Sequence, residues 1–195
     1  MHARDLFNDL IESVRSAYRA NPDEVPRWAE IGKKLEGFVS RPEIQEISEV
    51  WSVPEKGGPY NLNFYEDPEY GFVIHGLLKK PNVGTPIHDH GSTWTAYGLL
   101  KGEEKITVVQ PSETDAAKYE TLFDKIVGAG HVDVVRPHQL HAERAGLLPT
   151  VALIVRSGRV DNKLQTHVDP HTGTKKQGYG PQQLAADIVD GRLDL

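Results

Sequence analysis

The sequence predicts a mainly β protein, a barrel or sandwich preceded by helices. Three observations predict it. The first 50 residues carry apolar side chains at helical spacing. From about Trp51 onward, short β-prone runs alternate with turn signals. At 195 residues the chain is long enough for one domain with a real core and some appended elements.

Taken in order, Leu6, Phe7, Leu10, Ile11, Val14 and Tyr18 recur at three- and four-residue steps and form one apolar stripe, a first helix. Pro22 and Pro26 in "ANPDEVPRW" are expected to break it. Trp28, Ile31, Leu35 and Phe38 mark a second helix. "RPEIQEISEVW" reads equally as a short helix or a strand. The β region follows, with "YNLNFY", "FVIHGLLKK", "TAYGLL", "KITVVQ", "KYETLFDKIV", "VDVVR", "VALIVRS" and "LQTHVD" as strands between turns. "HTGTKKQG" reads as a hairpin or loop. Residues 181–193, "PQQLAADIVDGRL", read as a terminal helix with Pro181 in its first turn. The expected organisation is one structural domain. Residues 1–50 form a helical segment packed on the barrel, 51–180 the barrel, and 181–195 a short C-terminal helix.

Composition narrows the function. The formal net charge is -6 and no basic stripe is present, which argues against nucleic acid as a partner. No apolar run approaches the roughly 20 residues of a membrane span. The N-terminus lacks the apolar stretch of a signal peptide, so a cytoplasmic location is expected. The absence of cysteine removes disulfides, thiolate metal sites and Cys nucleophiles together, so any metal must be held by histidines or carboxylates. Histidine is plentiful, with nine residues, all but His2 lying between His75 and His171.

The chemistry concentrates in "NVGTPIHDHGSTWTAYGLLKGE", residues 82–103. In a strand, residues i and i+2 share a face. His88 and His90 can therefore point together into a barrel, with Asp89 facing away. Gly84 and Pro86 shape the turn that delivers them. About forty residues later comes "GHVDVVRPHQLHAERAG", which offers His138 and His141 as a third ligand. His138 directly follows Pro137 and belongs to a turn; His141 opens a strand and is the better candidate.

These two stretches resemble the paired signature motifs of the cupin superfamily, whose fold is a double-stranded β-helix (jelly-roll) barrel. The first motif supplies HxH and, at the position of Trp94 or Thr95, usually a Glu; Thr95 keeps the customary step to Gly102. The second supplies a Pro, here Pro137, and a third His, here His141. The Pro-to-His step is one residue shorter than usual and the Gly between them is absent. A three-His site without the Glu is similar to the cysteine dioxygenase group of thiol dioxygenases. "THVDPHTGTKK" and the N-terminal helices resemble that group as well, and the likeness runs from about Tyr60 to Lys176. It departs where that group positions its substrate. The late Ser-x-His-x-Tyr run becomes Ala152, Ile154 and Arg156, and the early carboxylate-binding Arg becomes Leu62.

The resemblance implies a mononuclear non-haem metal enzyme, an iron(II) dioxygenase acting with O2 on a small anionic, chelating substrate such as a thiol. His88, His90 and His141 would hold the metal. Ligand type alone equally admits zinc, nickel or manganese. Three neutral imidazoles leave a divalent ion its full double charge, which favours an anionic partner. The alternatives are a non-catalytic metal- or ligand-binding cupin, or a zinc or manganese isomerase or hydrolase.

Arg156, His75, Tyr97 and Trp94 are the candidate substrate-pocket residues. Arg156 either grips a substrate carboxylate or forms a barrel-mouth salt bridge. His75 is either a hydrogen-bonded interior histidine or a pocket group, and Tyr97 and Trp94 either wall the pocket or pack in the core. Glu143 shares a strand face with His141, as a base, a ligand or a rim carboxylate. His131, His167, His171 and His2 read as surface residues. The sequence names no catalytic acid or base, and barrel-edge strands are compatible with a homodimer.

Overall fold

The computed structural model describes residues 3–49, 51, 60–115, 118–185, 187–189 and 192–194. Three helices come first: α1 (Ala3–Ala20), α2 (Glu24–Val39) and α3 (Pro42–Ser48). The predicted apolar stripes are their buried faces. Leu6, Leu10 and Val14 of α1 and Trp28, Ile31, Leu35 and Phe38 of α2 are all buried. Pro22 lies between the helices, but Pro26 sits in the first turn of α2, where the missing N–H breaks no intrahelical bond. The ambiguous "RPEIQEISEVW" stretch forms α3, with Pro42 at its start.

The strands of the barrel begin with β1 (Tyr60–Glu66), β2 (Val73–Lys79), β3 (Ile87–His88), β4 (Thr95–Lys101), β5 (Glu103–Pro111), β6 (Tyr119–Gly128), β7 (Val132–Val135), β8 (His141–Ala145), β9 (Thr150–Arg156), β10 (Leu164–Val168) and β11 (Lys175–Tyr179). Three short ones follow: β12 (Leu184–Ala185), β13 (Asp187–Val189) and β14 (Arg192–Asp194). One sheet runs β12-β1-β2-β9-β4-β7 and the other β11-β10-β3-β8-β5-β6. From β2 to β10 the chain crosses to the opposite sheet at nearly every step, so each sheet interleaves early and late strands. That is the jelly-roll connection pattern. The barrel is a double-stranded β-helix.

The C-terminal helix expected over 181–193 is absent among the described residues, which form β12, β13 and β14 instead. β13 and β14 pair antiparallel with Val189 opposite Arg192. The intervening pair in the sequence is Asp190-Gly191, a strong two-residue hairpin signal, flanked by β-branched Ile188 and Val189. Those features outweigh the helix-start signal of Pro181.

The helices cover the outer face of the first sheet. Side chains of α1, α2 and α3 share one apolar cluster with Ile74, Leu78, Ala96, Leu100, Val151, Leu153 and Val155. Gly98 allows this close approach, because a Cβ there would lie 2.9 Å from Val39 and 3.2 Å from Leu35. A second cluster, Leu77, Tyr97, Leu99, Ile106, Val108, Val127, Ala152 and Ile154, fills the barrel interior. The polar site lies on this inner face.

Candidate metal centre

His88, His90 and His141 converge, with one ligand nitrogen from each lying within 4.8 Å of the other two. Their rings stand 4.7–5.1 Å apart, centroid to centroid. Strand pairing explains this: β3 lies between β10 and β8, in register His88 opposite His141. The HxH spacing brings His90 inward with His88. Asp89 faces away and pins the segment to β10, accepting from Gly91 N–H and Thr166 N–H at 2.9 Å each.

Each ring is held by the nitrogen that faces away from the centre. His88 Nδ1 donates to Pro86 C=O at 3.0 Å, and His141 Nδ1 donates to Gln139 C=O at 2.9 Å. Carbonyls only accept, so both rings carry their proton on Nδ1 and leave Nε2 free as a ligand. His90 Nδ1 shares a hydrogen bond of 3.1 Å with Thr95 Oγ1. Thr95, at the position usually given to a Glu, thus orients a ligand ring. His141 Nε2 is buried without a hydrogen-bond partner, the state expected of an atom that serves a metal. Burial lowers the pKa of His88 to about 4 and drives that of His90 well below the usual value, with Arg156 adding to the effect at His90. Both rings are therefore neutral and ready to bind at ordinary pH. At His141 burial also opposes the charge, but the Glu143 carboxylate outweighs it and raises the pKa. This donor set suits a divalent metal ion.

A cavity of about 310 Å³ opens onto His88 and His90. Its walls include Arg156, Glu143, Lys79, Gln165, Asn61 and His167. Arg156 is buried, and its Nη2 donates to His90 Nε2 at the long distance of 3.5 Å. It makes no ion pair within 4 Å among the described residues, and its Nε has no hydrogen-bond partner. Arg156 lines the cavity rather than forming a barrel-mouth salt bridge among the described residues. Burial lowers its pKa to about 10, which leaves it cationic at neutral pH. Gln165 Nε2 is a second buried donor without a partner in the same wall.

The other expectations fare unevenly. His75 is fully buried on the inner face with both ring nitrogens unpartnered, and burial pushes its pKa well down. It is an interior group, but not a hydrogen-bonded one. Tyr97 points inward but belongs to a separate network. Its OH donates to Glu104 Oε2 at 2.9 Å, and Lys79 Nζ (2.9 Å) and Thr150 Oγ1 (2.6 Å) complete the partners of that carboxylate. It lines a neighbouring cavity of about 210 Å³ that reaches His141 and shares Glu143 with the first. Trp94 is not a pocket wall. One residue out of phase with Thr95, it points outward, stacks on Trp28 at 6.1 Å and donates from Nε1 to Glu24. His138 is exposed in its turn with φ 59° and does not join the cluster. His167 is not merely a surface residue, since it stacks on His88 at 5.8 Å and lines the cavity. Leu62 faces the helix-side core, and the neighbouring Asn61 lines the cavity in its place. His131 lies against Lys125 and Asp133, His171 is exposed, and His2 lies outside the described residues.

Sequence reasoning missed Lys79, Thr85, Asn61 and Gln165. For Lys79 a signal existed, because it lies four residues beyond His75 on one strand and so shares its face.

No protein-family model matches this chain, and no curated protein matches it. Among solved structures it is similar to the cupin domain of Schizosaccharomyces pombe Cnp3, at 10% identity over 51% of this chain and 64% of that one, with a TM-score of 0.40. It is similar to an oxalate oxidase at 18% identity, covering 45% and 42% of the two chains, with a TM-score of 0.38. It also resembles an uncharacterised Klebsiella pneumoniae protein with a double-stranded β-helix domain, at 15% identity over 70% and 95%, with a TM-score of 0.42. The matched region spans less than two thirds of the Cnp3 and oxalate oxidase chains. The fold assignment rests on the strand order itself. Among the described residues, no helix is long and apolar enough to cross a membrane.

Proposed function

We propose that this chain is a mononuclear metal enzyme in which His88, His90 and His141 hold a divalent ion. Its nearest chemistry is that of an iron(II) dioxygenase acting with O2 on a small anionic, chelating substrate such as a thiol. The observation that carries this reading is the convergence of three buried imidazoles, each tied at Nδ1, two of which, His88 and His90, line a cavity with Arg156. With iron(II) bound, the chemistry supplied is activation of O2 beside a coordinated substrate.

The residues of the chain do the rest. Arg156 and Gln165 offer buried N–H donors without partners, which a carboxylate or other oxyanion would satisfy. Lys79, Thr85 and Asn61 complete a polar wall, and Leu77 and Pro86 leave space for a short apolar body. The inner face of β9 carries Ala152, Ile154 and Arg156 where cysteine dioxygenases carry Ser, His and Tyr. The substrate must therefore be oriented by Arg156, and cysteine itself fits poorly. A zinc or manganese isomerase or hydrolase is the second reading, favoured by Glu143, a buried carboxylate at the centre positioned to take a proton.

The test is oxygen consumption by iron(II)-loaded protein against a panel of small thiols and β-diketones. Uptake with one of them, lost in Arg156→Gln, supports the first reading. Turnover without oxygen in the zinc or manganese form supports the second. No uptake and no anaerobic turnover across the panel would leave a metal-binding cupin without catalysis.

A further inference from the structure

Glu143 lies two residues beyond His141 on β8, on the same inward face, and is 7% exposed. Its two carboxylate oxygens have different surroundings. Oε2 is anchored: Thr85 Oγ1 donates to it at 3.1 Å, and Lys79 Nζ lies 3.9 Å away. Thr85 is itself locked to the strand. It takes the Glu143 backbone N–H at 3.0 Å and donates its own N–H to the Glu143 C=O at 2.8 Å. Oε1 lies 3.2 Å from His141 Nε2, without the alignment of a hydrogen bond.

That nitrogen is the one His141 turns toward the other two histidines, because its Nδ1 is committed to Gln139. A carboxylate that merely oriented the ring would sit on the Nδ1 side. Two donors sharing one ion at about 2.1 Å each stand roughly 3.0–3.4 Å apart, from right-angled to tetrahedral geometry. The observed 3.2 Å falls in that range. Charge agrees: a divalent ion beside the Arg156 guanidinium would set two cationic centres against each other with no counter-charge from three neutral imidazoles.

We propose that Glu143 is the fourth protein ligand, a carboxylate delivered by β8 in place of one from the Thr95 position on β4. This rests on the three-histidine reading above. The site becomes three histidines and one carboxylate, with Thr85 and Lys79 holding the free end of Glu143. One unit of metal charge is cancelled, and Arg156 keeps the pocket attractive to an anion.

Cobalt(II) binding to the full chain tests it, by chelator competition and by the visible d–d spectrum. Glu143→Gln should weaken cobalt affinity roughly 10-fold or more and shift the bands, while His90→Ala abolishes binding. Wild-type affinity with an unchanged spectrum in Glu143→Gln, alongside loss in His90→Ala, would overturn this proposal and leave the three-histidine site standing. No cobalt uptake by the wild type would overturn both. Should Glu143→Gln fail to fold, the wild type decides alone. Its infrared spectrum, cobalt-loaded minus metal-free, should show a carboxylate antisymmetric stretch that moves on loading, and a flat difference in that region overturns the assignment.

Discussion

The two faces of the first sheet are built from the same strands and do opposite work. On β2, Ile74 and Leu78 point outward under the helices, while His75, Leu77 and Lys79 point inward. On β9, Val151, Leu153 and Val155 face the helices, while Ala152, Ile154 and Arg156 face the barrel. The outer face is hydrocarbon and aromatic, with Trp28 stacked on Trp94 and Phe7 edge-on to Phe38 and Phe64. The inner face holds buried polar atoms without partners, on His75 and Arg156. Each such group costs about 1–3 kcal/mol when left unpaired. A one-residue alternation thus separates the surface that stabilises the barrel from the surface that spends stability on a site.

Substitutions that cross this boundary should separate the two roles. The largest effect is expected from His90→Ala, which removes one of the three proposed histidine ligands. Stoichiometric divalent metal should be lost while the metal-free protein melts close to wild type, as read by metal analysis after reconstitution and by thermal unfolding. Full metal occupancy in this variant would refute the site. Trp28→Ala should do the reverse, costing about 3–5 kcal/mol of unfolding free energy with metal stoichiometry intact. Denaturant titration of the metal-free protein measures it.

The same alternation decides what the sequence could tell. The paired histidines were legible because HxH in a strand faces one way, and because His141 opens β8 directly opposite His88. The helical stripe was legible because the helices bury one continuous face. Of the two readings of Trp94, pocket wall or core, the core holds, because parity with Thr95 turns it to the helices. Leu62 was misplaced for the same reason, since inward residues on β1 are fixed by pairing with β2, where Asn61 meets Leu77 and Asn63 meets His75. Gln165 and Thr85 reach the cavity only through the closure of the second sheet, which no local pattern records. The terminal hairpin was hidden because a proline start signal was weighed above Asp190-Gly191.

Lys79 sharpens the contrast, because the inner face is itself divided. Around Glu104 the polar groups are paired with Lys79, Tyr97 and Thr150, and Lys79 and Glu104 are 1% and 0% exposed. Lys79→Met leaves the Glu104 carboxylate buried without its cation, which should cost about 3 kcal/mol or more. Adding Glu104→Gln should recover much of that loss, because the uncompensated charge is then gone. An additive double variant in urea unfolding would show that the two residues are not coupled.

The smallest effect should come from a polar anchor on the helix side. Asp67 is buried and ties α1 to the turn between β1 and β2. Arg15 Nε donates to it at 2.7 Å, Tyr65 OH at 3.0 Å, and the backbone N–H groups of Glu69 and Tyr70 at 2.9 and 2.8 Å. Burial alone would raise its pKa, but the Tyr70 N–H, Arg15 and the other donors outweigh burial and hold it below the usual aspartate value. A depressed folded-state pKa means that the unfolded chain takes up the proton first. The stabilisation is therefore complete above the unfolded value near 4 and is lost as pH falls through the lower folded value. Asp67→Asn should cost about 1–3 kcal/mol at neutral pH, the range for hydrogen bonds to a charged group, and progressively less below pH 4. Unfolding free energies of the two proteins from pH 7 to pH 3 should converge at the acid end. A difference that stayed constant across that range would mean that Asp67 acts through shape and packing rather than through its charge.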